Sequence, residues 1–61
     1  MTFSQADKMI REDGWQLKTV NGSHHHYIHP VKPGKVTIPM HVGKELSAYV
    51  VASIKRQAGL K

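Results

Sequence analysis

A chain of 61 residues has room for one domain and a thin core, because a domain of about 60 residues buries only about 60% of the surface its unfolded form exposes. The absence of cysteine removes both disulfide reinforcement and any metal-thiolate site, and no apolar run approaches the roughly 20 residues needed to cross a bilayer. Nine Lys and Arg against four Asp and Glu give a formal charge of +5, which favours a polyanion or an acidic protein as partner.

Ser4, followed three residues later by Asp7, reads as the start of a helix running to about Asp13, with the Ser hydroxyl capping a free backbone N–H and the carboxylate near the positive end of the dipole. Phe3, Ala6, Met9 and Ile10 then form one apolar stripe at helical spacing. Gly14 can take the left-handed conformation that closes such a helix. From Trp15 the period changes to two, with Trp15, Leu17 and Thr19 alternating against Gln16, Lys18 and Val20 as in a half-buried strand. Asn21-Gly22 is a two-residue hairpin signal, since a type I′ turn needs positive φ at both central positions. The histidine-rich segment after it is therefore expected to be a second, antiparallel strand.

Pro30, Pro33 and Gly34 punctuate a turn that returns the backbone for a third strand, Lys35 to Ile38, ended by Pro39. Met40 to Glu45 reads as a loop carrying His41 and Lys44. Leu46, Val50, Val51, Ile54 and Ala58 share one helical face, with Ser47 as N-cap, Gly59 as stop, and Lys55 and Arg56 where the dipole favours cations. The expected fold is a single α+β domain over residues 1–61, ordered α-β-β-β-α. Two helices cover one face of a three-stranded antiparallel sheet and bury Phe3, Ile10, Trp15, Leu17, Val36, Ile38, Val50 and Ile54, leaving the other face open. This is the topology of a double-stranded RNA-binding domain. With no secretory signal in view, the chain reads as soluble and cytoplasmic.

Four of the five histidines fall within the six positions His24 to His29. The run is internal, holds three consecutive histidines and leads into a strand-like Tyr27-Ile28, which sets it apart from an expression-tag remnant. Strand alternation places His24 and His26 on one face, but two imidazoles do not make a metal site without a third ligand, and no motif such as H-E-x-x-H supplies one. No metal or cofactor is expected. His25 and His26 fit a structural reading as amphipathic strand residues, and His29 before Pro30 fits a ring that caps a turn. His24 stands just past the tight turn, where its ring could reach a bound phosphodiester. RNA carries its own nucleophile, the 2′-hydroxyl, so a positioned imidazole with a few cationic donors is sufficient chemistry for cleavage.

Gly22-Ser23-His24, the following residues to Pro30, Val36-Thr37-Ile38-Pro39 with His41, and Ser53-Ile54 with Gln57-Ala58-Gly59-Leu60 together resemble the HicA toxin family of bacterial toxin–antitoxin systems. The resemblance spans nearly the whole chain in order. It implies an mRNA interferase, a ribonuclease of double-stranded RNA-binding-like fold that is blocked by a HicB-type antitoxin. The family's catalytic histidine directly follows the Gly-Ser pair, which makes it His24 here, with Gly22 and Ser23 shaping the turn that presents it. Relatives usually open the last helix with a Gly-Thr pair, whereas this chain has Ser47, Ala48, Tyr49 and Val50.

One imidazole cannot both remove the 2′-hydroxyl proton and protonate the leaving oxygen, so His26, His41 or water is needed as a second group. Lys18, Lys32, Lys35 and Lys44 flank the site in sequence and are the candidate phosphate contacts. An acidic antitoxin would complement the basic chain, which is expected to be a monomer when free. Trp15 is expected in the core, and Tyr49 either there or facing the antitoxin. Two readings from other classes remain open on these residues, a non-catalytic RNA-binding module and a small interaction protein with a basic face.

Overall fold

A computed structural model describes residues 1–40 and 44–60. The order is α1 (Phe3–Glu12), β1 (Gln16–Asn21), β2 (His24–Ile28), β3 (Val36–Pro39) and α2 (Ala48–Gln57), with the strands paired antiparallel in the order β1-β2-β3. Both helices contribute to the core that covers one sheet face, as the apolar periodicity predicts.

The start of α1 differs from the sequence reading. Thr2, not Ser4, is the N-cap: its hydroxyl accepts from the Gln5 amide at 3.2 Å while the Gln5 side chain accepts from the Thr2 amide at 2.9 Å. This reciprocal pair satisfies two free donors at once, which a lone Ser cap does not. Asp7 is thereby released from capping and turns toward the sheet, accepting from the Tyr27 hydroxyl at 2.5 Å and from Arg11 Nε at 3.0 Å. Burial first, and then that hydrogen bond to Asp7, raises the Tyr27 phenol above its ordinary pKa.

The core consists of Ala6, Ile10, Trp15, Tyr27, Val36, Ile38, Leu46, Ile54 and Ala58, with Phe3, Met9 and Val50 packed against it. Leu17 does not join them and stays 39% exposed. It pairs with Tyr27 and so faces the helix side, but on an edge strand; a bulge follows it, since Thr19 pairs with His26 and Lys18 is an extra residue in β1. An added residue reverses the alternation beyond it. Thr19 and Asn21 therefore join the uncovered face, and β1, an edge strand, is exposed along its whole length. Tyr27, which the sequence reading left out of the core, fills the space under α1.

The α2 start matches expectation, with Ser47 Oγ accepting from the Val50 amide at 3.2 Å. Gly14 and Gly59 take positive φ at the two helix ends, as predicted. Leu46 donates its amide to the Met1 carbonyl at 2.8 Å, joining the approach to α2 to the start of α1.

Candidate functional site

The hairpin between β1 and β2 turns one residue later than the Asn21-Gly22 signal suggests. Asn21 pairs with His24, so Gly22 and Ser23 are the two central residues. Gly22 has φ 62° and no non-glycine residue has positive φ among the described residues, so the turn departs from the expected pattern of positive φ at both centres. The Ser23 carbonyl accepts from the Met40 amide at 2.7 Å. That bond extends the β2–β3 ladder past His24, which pairs with Pro39. The residue after the turn is thus anchored on both sides.

Within β2, alternation sorts the histidines. His25 and Tyr27 point toward the helices: Tyr27 is buried, and the His25 ring lies 4.7 Å from that of Phe3, tilted by 57°. The His25 Nδ1 is enclosed with no hydrogen-bond partner among the described residues. His24 and His26 occupy the opposite face, each beside a cross-strand neighbour, Pro39 and Thr37. His24 is exposed and lines a groove of about 270 Å³ with Thr37, Pro39, Tyr49, Val50, Ser53, Ile54 and Gln57. The groove exists because α2 lies along β3, bringing polar side chains of the helix around to the edge of the open face.

A chain of hydrogen bonds stiffens that wall. His26 Nδ1 and Thr37 Oγ1 are 2.9 Å apart, the Thr37 amide donates to Gln57 Oε1 at 3.0 Å, and Gln57 Nε2 donates to Ser53 Oγ at 3.1 Å. His26 itself lines a second groove on the same face, with Lys18, Thr19, Asn21, Ile28 and Lys35. Two of the four candidate lysines are therefore brought to the histidine face. Lys18, the unpaired residue of the bulge, lies on the side that the period-two alternation of Trp15 and Leu17 against Gln16 and Lys18 assigns to the open face.

Lys32 is held elsewhere. Its ammonium contacts the Asp13 carboxylate at 2.5 Å and the Ala58 carbonyl at 3.1 Å, tying the strand connection to the ends of both helices. The Lys32 hydrogen bond, more than any other influence, holds the Asp13 carboxyl below its usual pKa. Lys44 is exposed between β3 and α2 and lines neither groove. His41 lies outside the described residues. His29 has the turn-capping place expected of it: Nδ1 accepts from the amides of Val31 and Lys32, both at 3.0 Å, and Nε2 is 2.8 Å from the Asp13 carbonyl. Two acceptances at Nδ1 require the proton on Nε2, which then donates to Asp13. Among the described residues, no three His, Asp or Glu side chains converge as metal ligands.

These features define a basic α-β-β-β-α domain of double-stranded RNA-binding topology whose uncovered sheet face carries an accessible imidazole beside a groove of mixed polar and apolar lining. The family model for the HicA toxin of bacterial toxin–antitoxin systems matches residues 3–60. The chain belongs to that family. No curated protein matches it. None of its described helices is long and apolar enough to cross a membrane.

Proposed function

We propose that this toxin is a metal-independent endoribonuclease that cleaves mRNA with His24 as general acid or base, and that an acidic HicB-type antitoxin silences it. The observation that carries this reading is the exposure of His24 at the rim of the groove between β3 and α2, in a chain matched to a toxin family over residues 3–60. An imidazole there can meet a phosphodiester without any rearrangement of the core.

In this mechanism a proton leaves the ribose 2′-hydroxyl, the freed oxygen attacks the adjacent phosphorus, and the bond to the 5′ oxygen breaks as that oxygen takes up a proton. The products are a cyclic phosphate and a free 5′-hydroxyl, so no water or oxidant is consumed. His24 performs one of the two proton transfers. His26, two residues along the same face, is a candidate for the other, since same-face residues on a strand stand roughly 7 Å apart. Thr37 occupies its Nδ1 and leaves Nε2 for the substrate. Lys18 and Lys35 supply positive charge on that face. Gly22 and Ser23 hold the turn that presents His24.

The experiment is incubation of purified protein with a mixed RNA, with and without EDTA, alongside His24→Ala. Cleavage that survives EDTA and disappears in the variant supports the reading. Binding without cleavage in the parent chain returns the rival, a non-catalytic RNA-binding module. Cleavage abolished by EDTA overturns metal independence.

A further inference from the structure

The uncovered sheet face is sorted by charge. Two lysines and two histidines line its grooves, and no carboxylate does. Among the described residues Asp7 and Asp13 are engaged with Tyr27, Arg11 and Lys32, and Glu45 lies 3.4 Å from the N-terminal amine. The two grooves also meet: His26 lines one, Thr37 lines the other, and the hydrogen bond between them is the saddle. On the far wall of the His24 groove stands Tyr49, 80% exposed in the first turn of α2. In so small a chain an aromatic ring is normally used for burial, as Trp15 and Tyr27 are. A fully presented ring beside an anion-attracting face has the composition of a single-strand nucleic-acid site, which combines a cationic groove with an aromatic platform.

We propose that Tyr49 stacks an unpaired base next to His24, so that the chain takes single-stranded RNA laid across both grooves and not a duplex, despite its topology. The backbone runs past Lys18 and Lys35, over the His26–Thr37 saddle, and presents one ribose-phosphate to His24. A base within a duplex has both faces stacked on its neighbours and cannot lie on Tyr49 without being splayed out. The proposal rests on the ribonuclease reading for the role of His24, but its own content is binding, so the two can fail separately.

The test uses the full chain carrying His24→Ala, which keeps RNA intact, and measures fluorescence anisotropy with a labelled single strand and the same strand annealed to its complement. Tighter binding of the single strand is expected. Adding Tyr49→Ala lowers single-strand affinity about 5- to 150-fold, Tyr49→Phe restores most of it, and duplex affinity is unchanged by either. Equal loss on both RNAs, or no loss on either, overturns the stacking assignment even if the parent chain cleaves RNA. A Tyr49→Ala variant that binds RNA normally but no longer associates with its antitoxin would give the ring to a protein interface and would likewise overturn it.

Discussion

The two faces of β2 differ in how their histidines are held. On the helix side, and at the strand's end, the rings are consumed by structure: His25 packs on Phe3, and His29 spends both nitrogens on backbone groups. On the open side His24 is exposed, and His26 is fixed through one nitrogen only. Identical side chains within six positions thus divide into scaffold and candidate chemistry. What separates them is which face of the pleat they occupy, and whether a backbone amide is close enough to claim the ring.

The largest effect that can break this division is the exchange of phenotypes between His24 and His29. His24→Ala should lower RNA cleavage about 10² to 10⁴-fold, while its thermal unfolding stays within about 0.5 kcal/mol of the parent. His29→Ala should do the reverse, losing about 2 kcal/mol of stability as three backbone groups lose their partner, with cleavage at permissive temperature retained. Denaturant melts paired with cleavage assays check both, and a dead but stable His29 variant would show that the two regions are not separate.

Gly14→Ala attacks the same scaffold from beneath. Gly14 has φ 107°, and a Cβ there would stand 2.7 Å from His29 Nε2. Backbone strain plus displacement of that ring should cost about 1–3 kcal/mol, read from the denaturation midpoint. Tyr27→Phe removes the hydroxyl that joins the sheet to Asp7 and should cost about 1 kcal/mol without altering cleavage, because the ring stays in the core on the face opposite His24.

On the open face, Lys18→Gln and Lys35→Gln should each reduce the salt dependence of single-strand binding by about 0.7 in log K per log salt, whereas Lys32→Met should leave that slope unchanged. The Lys32 variant reports through acid stability instead. Asp13 has a lowered pKa in the folded chain, so its pair with Lys32 contributes above the ordinary Asp range and is lost as pH falls through the depressed value. Lys32→Met should therefore flatten the acid limb of thermal stability measured from about pH 5 downward, since an unfolded Asp titrates near 3.9. An unaltered acid limb would mean that the Asp13–Lys32 contact contributes nothing in solution.

Much of this arrangement was legible in local chemistry. Apolar spacing marked both helices, Gly14 and Gly59 marked their ends, Ser47 marked the second start, and the turn residues marked three antiparallel strands. His24 stood out because a hairpin turn followed by an imidazole in a basic chain is a recognisable combination. Three local readings failed where two signals competed. Thr2 displaced Ser4 because Gln5 completes a reciprocal cap, Gly22-Ser23 displaced Asn21-Gly22 as the turn centre, and Thr19 moved to the open face because a bulge at Lys18 reverses the alternation beyond it.

The sequence by itself determined the order of elements, the face of β2 that each histidine occupies, and the membership in a toxin family that its spaced motifs carry. These follow from short-range periodicity and steric preference, which any segment expresses before it meets the rest of the chain. Only the tertiary structure decided that Lys32 is bound to Asp13 and Ala58, that Thr19 turns to the open face, and that Tyr49 faces the groove of His24. Those outcomes depend on where α2 settles along β3 and on one extra residue in β1. Both are matters of long-range packing, in which residues far apart in the chain compete for the same few neighbours.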